Sequence, residues 1–184
     1  MVQTGTTTEK TSTNRRQEGA HTTSRQNSEK GFVASQELLE NLQKVLIDLI
    51  ELQLQSKQAH WNVVGKNFRD THRMLDEIID DARTFSDTVA ERMRALHGTP
   101  DGRSDTVAET TSLAAYPAGE VDTRETVDLV VARLEATVGT VRGVHDQVDG
   151  EDPTSSDILH AILERLEQFA WMVSAENRTP RAAK

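Results

Sequence analysis

Five side chains between residues 60 and 91 have the types and spacing of metal ligands: His60, His72, Asp76, Asp87 and Glu91. Imidazole with carboxylate suits Fe(II), and also zinc or manganese. The chain contains no cysteine. That excludes disulfides, thiolate zinc sites, iron–sulfur clusters and thiol peroxidase chemistry, and leaves nitrogen and oxygen as the donors to any metal. His72 and Asp76 stand four apart, as do Asp87 and Glu91, so each pair shares one face of a helix. A half-open, carboxylate-rich site of this kind fits redox use of iron better than a closed structural site does.

The elements that must carry these residues are helices. Leu38, Leu42, Val45, Leu46, Leu49 and Leu52 recur at helical spacing behind Ser35, a suitable N-cap, and the first helix runs to about Trp61. "NVVG" ends it at Gly65, a left-handed stop. Asn67 caps a second helix that runs to about Leu96 and stops at Gly98 and Pro100, with His97 as a C-terminal cap. Residues 99–122 form a long crossover in which "SDTVAET" is a short helix. Thr123 caps a third helix with Val127, Val130, Val131, Leu134, Val138, Val141 and Val148 on one face. "DGEDPTSSD" then breaks the chain before a fourth helix carrying Leu159, Ile162, Leu166 and Val173, with Trp171 in the core. Four long helices with one long crossover describe an all-α, ferritin-like four-helix bundle.

The second helix has two opposed faces. With Asp76 set at zero and about 100° per residue, His72, Asp87 and Glu91 fall between about −40° and 60°. Phe68, Leu75, Ile78, Ala82, Phe85, Val89, Met93 and Leu96 fall between about 180° and 280° and must face the bundle core. The ligand pairs therefore point away from their own core, and at ~1.5 Å per residue they lie roughly 22 Å apart. Metal–ligand bonds of about 2 Å cannot close that gap within one chain. A second copy of the helix, antiparallel across a two-fold axis, brings each chain's His72 and Asp76 to the other's Asp87 and Glu91, giving two equivalent sites. His60, just before the turn, sits level with His72.

Charge and composition bound the rest. The net charge of −9 is uneven. Residues 1–33 carry five cations against three glutamates, and residues 177–184 carry Arg178, Arg181 and Lys184 without an acid, so the body between them is strongly acidic. Such a surface attracts cations and repels nucleic acid. Residues 1–30 hold 11 Ser or Thr and almost no large apolar side chain, the composition of a tail that cannot fold alone. No apolar run approaches the ~18–20 residues of a membrane span, and no apolar leader opens the chain, so the expected location is the cytoplasm.

The stretches "HWNVVGKNFRDTHRMLDE" (His60 to Glu77) and "SDTVAERM" (Ser86 to Met93), with "LERLEQFAWMVSA" in the fourth helix, resemble the Dps proteins, the small ferritin-like proteins of bacteria and archaea. The resemblance covers roughly residues 34–176, between an N-terminal tail (1–33) and a short basic C-terminal tail (177–184). It implies a hollow dodecamer in which His60, His72 and Asp76 of one chain and Asp87 and Glu91 of its two-fold partner form a ferroxidase centre. It also implies that iron(II) is oxidised with hydrogen peroxide or oxygen and stored as ferric mineral, and that Trp61 intercepts stray oxidising equivalents. Asp152 and Asp157, with Asp146, Asp149 and Glu151 nearby, match the region of an iron entry pore. Two rivals are weaker. A larger ferritin with its di-iron site inside one bundle needs Glu-x-x-His pairs on its helices. None of the four helices has one, and the chain's single instance, Glu18 to His21, lies in the tail. A nucleoid-compacting protein needs several cations per tail. The tails here are mildly basic, which leaves DNA and a nucleoid location as secondary readings and makes a strap on a neighbouring subunit the preferred role for the N-terminal tail.

Overall fold

The structure, a computed structural model, describes Met1 and residues 31–180. The expected roles of the N-terminal tail, as subunit strap or DNA arm, fall on residues outside that range. Helix α1 spans Gln36–Asn62, β1 Val63–Val64, α2 Phe68–Ala95, α3 Ser104–Thr110, β2 Val121–Asp122, α4 Thr123–Glu151 and α5 Pro153–Ala175. The four long helices bury one continuous apolar core. Leu42, Val45, Leu49 and Leu52 of α1 meet Leu75, Ile78, Ala82, Val89 and Met93 of α2, and these pack on Leu134, Val141, Leu159, Ile162, Leu166 and Phe169.

The ends of the elements follow from local chemistry, sometimes one residue from where the sequence suggests. The Ser35 hydroxyl accepts from the Leu38 amide at 3.1 Å, as an N-cap should. For α4 the cap is Asp122 rather than Thr123. The Asp122 carboxylate accepts from the Arg124 and Glu125 amides at 2.9 and 3.2 Å, satisfying two donors that a helix start leaves open. Asn67 precedes α2 in a left-handed conformation (φ 59°) and gives no side-chain cap. Gly65 does take positive φ (120°). The stop after α2 is a left-handed His97 (φ 67°), with the Gly98 amide donating back to the Met93 carbonyl at 2.8 Å. The break between α4 and α5 is much shorter than "DGEDPTSSD" suggests. Helix continues through Glu151, only Asp152 is non-helical, and Pro153 opens α5 at a position where its missing N–H costs nothing.

The crossover is tied down at two buried polar points. The Asp48 carboxylate accepts from the Ser112 amide (2.8 Å) and from the hydroxyls of Thr111, Ser112 and Thr140 (2.9, 2.5 and 2.6 Å). The Arg133 guanidinium donates to Gln55 and to the carbonyls of Ala114 and Ala115. An element absent from the sequence reading completes the fastening. Val63 and Val64 pair in parallel with Val121 and Asp122, which pins the α1–α2 turn to the end of the crossover.

Candidate metal centre

That pinned turn carries the candidate ligands. His60 lies two residues before the end of α1 and His72 in the second turn of α2, and the two imidazoles stack with centroids 3.6 Å apart. Each Nδ1 donates across the turn to the other residue's carbonyl: His60 Nδ1 to His72 O at 3.1 Å, and His72 Nδ1 to His60 O at 2.9 Å. A carbonyl only accepts, so in the neutral rings both protons sit on Nδ1 and both Nε2 atoms keep a free lone pair. Backbone bonds of this kind orient metal-binding histidines and fix their tautomer. Phe68, placed by its spacing with the core stripe of α2, is instead exposed and sets its ring 5.1 Å from that of His72.

Asp76, one turn beyond His72, completes the cluster. Among the described residues, His60, His72 and Asp76 are the group of three whose donor atoms all lie within 4.8 Å of one another. His60 is buried, while the Asp76 side chain is 47% exposed, so the centre is half open to solvent. Lys57, one turn before His60 on α1, places Nζ 3.0 Å from Asp76 Oδ1. That hydrogen bond is the main reason the Asp76 carboxyl lies below its usual range. Partial burial opposes the shift, and the neighbouring imidazoles add to it. Lys57 had no place in the sequence reading, although its i,i+3 spacing to His60 puts both on one face of α1.

Asp87 and Glu91 are exposed on α2 and are not part of this cluster. Asp87 lines an open groove with Leu46, Ile50, Arg83 and Pro100. Trp61, beside His60, is 69% exposed in the folded chain. Trp171 is not in the core. It is 63% exposed, because α5 buries the stripe of Leu159, Ile162, Leu166, Phe169 and Val173 and turns Trp171 to the far side. Asp81 accepts from Arg165 Nε at 2.5 Å, and that guanidinium lies over Phe169.

The acidic residues of the expected entry pore fall into two groups. Asp152 is buried and accepts from Arg92 (2.6 Å) and Ser155 (2.5 Å). Burial would raise its carboxyl, but these bonds outweigh burial and hold it below the usual range. Glu151 accepts from the Ser35 amide and hydroxyl, joining the end of α4 to the start of α1. Both are structural in the folded chain. Asp146, Asp149 and Asp157 stay exposed.

Comparison with known proteins follows the same lines. Residues 39–182 match the ferritin-like domain family. The DNA protection during starvation protein of Agrobacterium fabrum is 33% identical over 73% of this chain and 83% of its own length. The chain belongs to the Dps family of ferritin-like proteins. Another relative, the fine tangled pili major subunit of Haemophilus ducreyi, is 38% identical over 75% of this chain and 73% of its own. A solved Dps structure from Microbacterium arborescens in its high iron form superposes with a TM-score of 0.74. It is 32% identical and spans 79% of this chain and 98% of that one. Among the described residues no helix is long and apolar enough to cross a membrane.

Proposed function

We propose that this Dps-family chain is a ferroxidase that oxidises Fe(II) at sites shared between two subunits and stores the ferric product inside a hollow dodecamer. The observation that carries the reading is the convergence of His60, His72 and Asp76. Both imidazoles are locked with Nε2 free, on the side of α2 away from its own core. Asp87 and Glu91 of the two-fold partner complete the donor set, since a ~22 Å separation along α2 keeps a chain's own pair out of reach. Iron is the substrate. Two Fe(II) ions each give one electron to hydrogen peroxide, its O–O bond breaks, and both oxygens leave as hydroxide or water, so no hydroxyl radical is released. Oxygen is the alternative electron acceptor.

In this reading Asp76, held ionised beside Lys57, supplies negative charge where iron gains positive charge, and carboxylates stabilise Fe(III) over Fe(II). Trp61, exposed beside the centre, is placed to intercept stray oxidising equivalents. Asp146, Asp149 and Asp157 line the iron entry route of the assembled cage, with Glu151 and Asp152 fixing the hairpin that presents them. The Agrobacterium relative is named for DNA protection and the Microbacterium structure for a high iron form. Removal of Fe(II) and peroxide together protects DNA without requiring contact with it, in the cytoplasm and near the nucleoid.

The test is a His72→Ala, Asp76→Ala double substitution. Both side chains lie outside the core, so the helical signal and the assembly persist while peroxide-driven ferric absorbance is strongly slowed. Unimpaired oxidation by an assembled variant overturns the site.

A further inference from the structure

The α4–α5 hairpin carries a second concentration of imidazole, on different helices from the centre above. His145 lies seven residues before Asp152 and His160 eight residues after it, so two antiparallel helices meeting at that residue bring them level. The structure sets His145 Nε2 2.7 Å from His160 Nε2, with ring centroids 4.8 Å apart. Each ring turns its other nitrogen toward a carboxylate. His145 Nδ1 is 3.0 Å from Asp146 Oδ1, and His160 Nδ1 is 3.7 Å from Asp157 Oδ1. Ser156 Oγ stands 3.3 Å from His145 Nε2.

The tautomers follow from these neighbours. The Asp146 carboxylate holds the His145 proton on Nδ1 and leaves its Nε2 unprotonated; Asp157, at 3.7 Å beyond hydrogen-bond distance, favours the same tautomer of His160 through its charge alone. Two lone pairs facing each other at 2.7 Å are repulsive, and so are two imidazolium rings at the same distance. One positive species between the rings relieves both conflicts. We propose that His145 and His160 form a second metal site, which takes a borderline divalent cation of the zinc class through both Nε2 atoms, with water in the remaining positions. Zinc–nitrogen bonds of about 2.0–2.1 Å in a tetrahedron separate two ligand nitrogens by about 3.3 Å, so the rings open by about 0.6 Å. The His160 side chain is 55% exposed and has room to rotate that far. Asp146 and Asp157 act as the outer carboxylates that orient each imidazole and raise its basicity. A cation there joins α4 to α5 beside the hairpin turn and stabilises the folded chain by mass action.

Zinc titration calorimetry tests this on metal-free, full-length assembled protein. The background carries His72→Ala and Asp76→Ala, so that the first centre contributes little. Adding His160→Ala removes one zinc equivalent per chain, and zinc no longer raises the thermal midpoint through this site. Adding Asp146→Asn instead keeps the equivalent and weakens it by roughly tenfold, the usual effect of removing an outer carboxylate. His160 is exposed, so the variant folds, and circular dichroism with sizing verifies this. Unchanged zinc stoichiometry and affinity in the His160→Ala protein overturns the proposal and leaves the pair bridged by a shared proton alone.

Discussion

Subunit exchange gives a quantitative test of a site divided between chains. One variant loses His72 and Asp76 and keeps Asp87 and Glu91; the other loses Asp87 and Glu91 and keeps His60, His72 and Asp76. Each alone has no complete site. When the two are mixed in equal amounts and reassembled at random, about half of the two-fold dimers contain one chain of each kind. Such a dimer has one site with every donor and one with only His60 left. Intact sites then number about a quarter of those in the unsubstituted protein, and peroxide-driven ferroxidation recovers to about a quarter of its rate per chain. The estimate depends on geometry alone. The midpoints of the two ligand pairs are residues 74 and 89, on one continuous helix from Phe68 to Ala95. Fifteen residues at 1.5 Å each give roughly 22 Å, and no rotamer spans that. The assay is stopped-flow ferric absorbance on the mixture, with native mass spectrometry counting mixed dimers. Verified mixed dimers as inactive as both parents refute the two-fold arrangement. A rate well above a quarter means that one half-site suffices for the chemistry.

Lys57→Met frees Asp76 from an ammonium 3.0 Å away; because that pair is a third to a half exposed, the gain is limited to about 1 kcal/mol, or about fivefold tighter Fe(II) binding. Weaker binding in equilibrium titration makes Lys57 a support of the site rather than a competitor for it. Asp152→Ala strips Arg92 and Ser155 of their shared acceptor and lowers stability by about 2–4 kcal/mol, read as a shift in urea midpoint by circular dichroism. Because the folded Asp152 carboxyl lies below its ordinary value, its contribution is complete above about pH 4 and is lost as pH falls through the folded value. The variant therefore shows a shallower acid limb below about pH 4 than the parent, and an unchanged limb removes Asp152 from acid unfolding.

The parts of this molecule governed by periodicity were legible in its sequence. The apolar stripe of α2 is buried from Leu75 to Met93 as its spacing requires, and the short helix in the crossover is Ser104–Thr110. The cluster of His60, His72 and Asp76 was legible because two helix ends joined by a short turn leave little freedom. The missed features depend on contacts between elements. Periodicity places Phe68 on the core face, but at the first residue of α2 the core has already ended and His72 is the nearer partner. Trp171 is large and apolar, and composition alone buries it; the position of the Phe169 and Val173 stripe turns it outward. The acidic run at 146–157 reads as uniform charge, yet Arg92, sixty residues earlier, claims Asp152, and Ser35 claims Glu151. The His145–His160 pair is invisible until the hairpin is known to turn at a single residue.

Dividing the donors between subunits, as proposed, makes the chemistry conditional on assembly. A lone chain offers His60, His72 and Asp76 to iron, but Lys57 already lies against the carboxylate, and the remaining donors are two imidazoles with open coordination. Imidazole alone does not favour Fe(III) over Fe(II) as strongly as carboxylate does. In the proposed dimer, Asp87 and Glu91 of the partner subunit add the negative charge that stabilises the oxidised ion and competes with the Lys57 contact. On this proposal an unassembled subunit is a poor catalyst of iron oxidation by peroxide or oxygen, and ferric product forms where a cage exists to hold it. The folded chain supports this division. The helix that carries both half-sites is buried along its other face, the turn that orients the imidazoles is pinned by the pairing of Val63 with Val121, and Asp87 and Glu91 stay exposed.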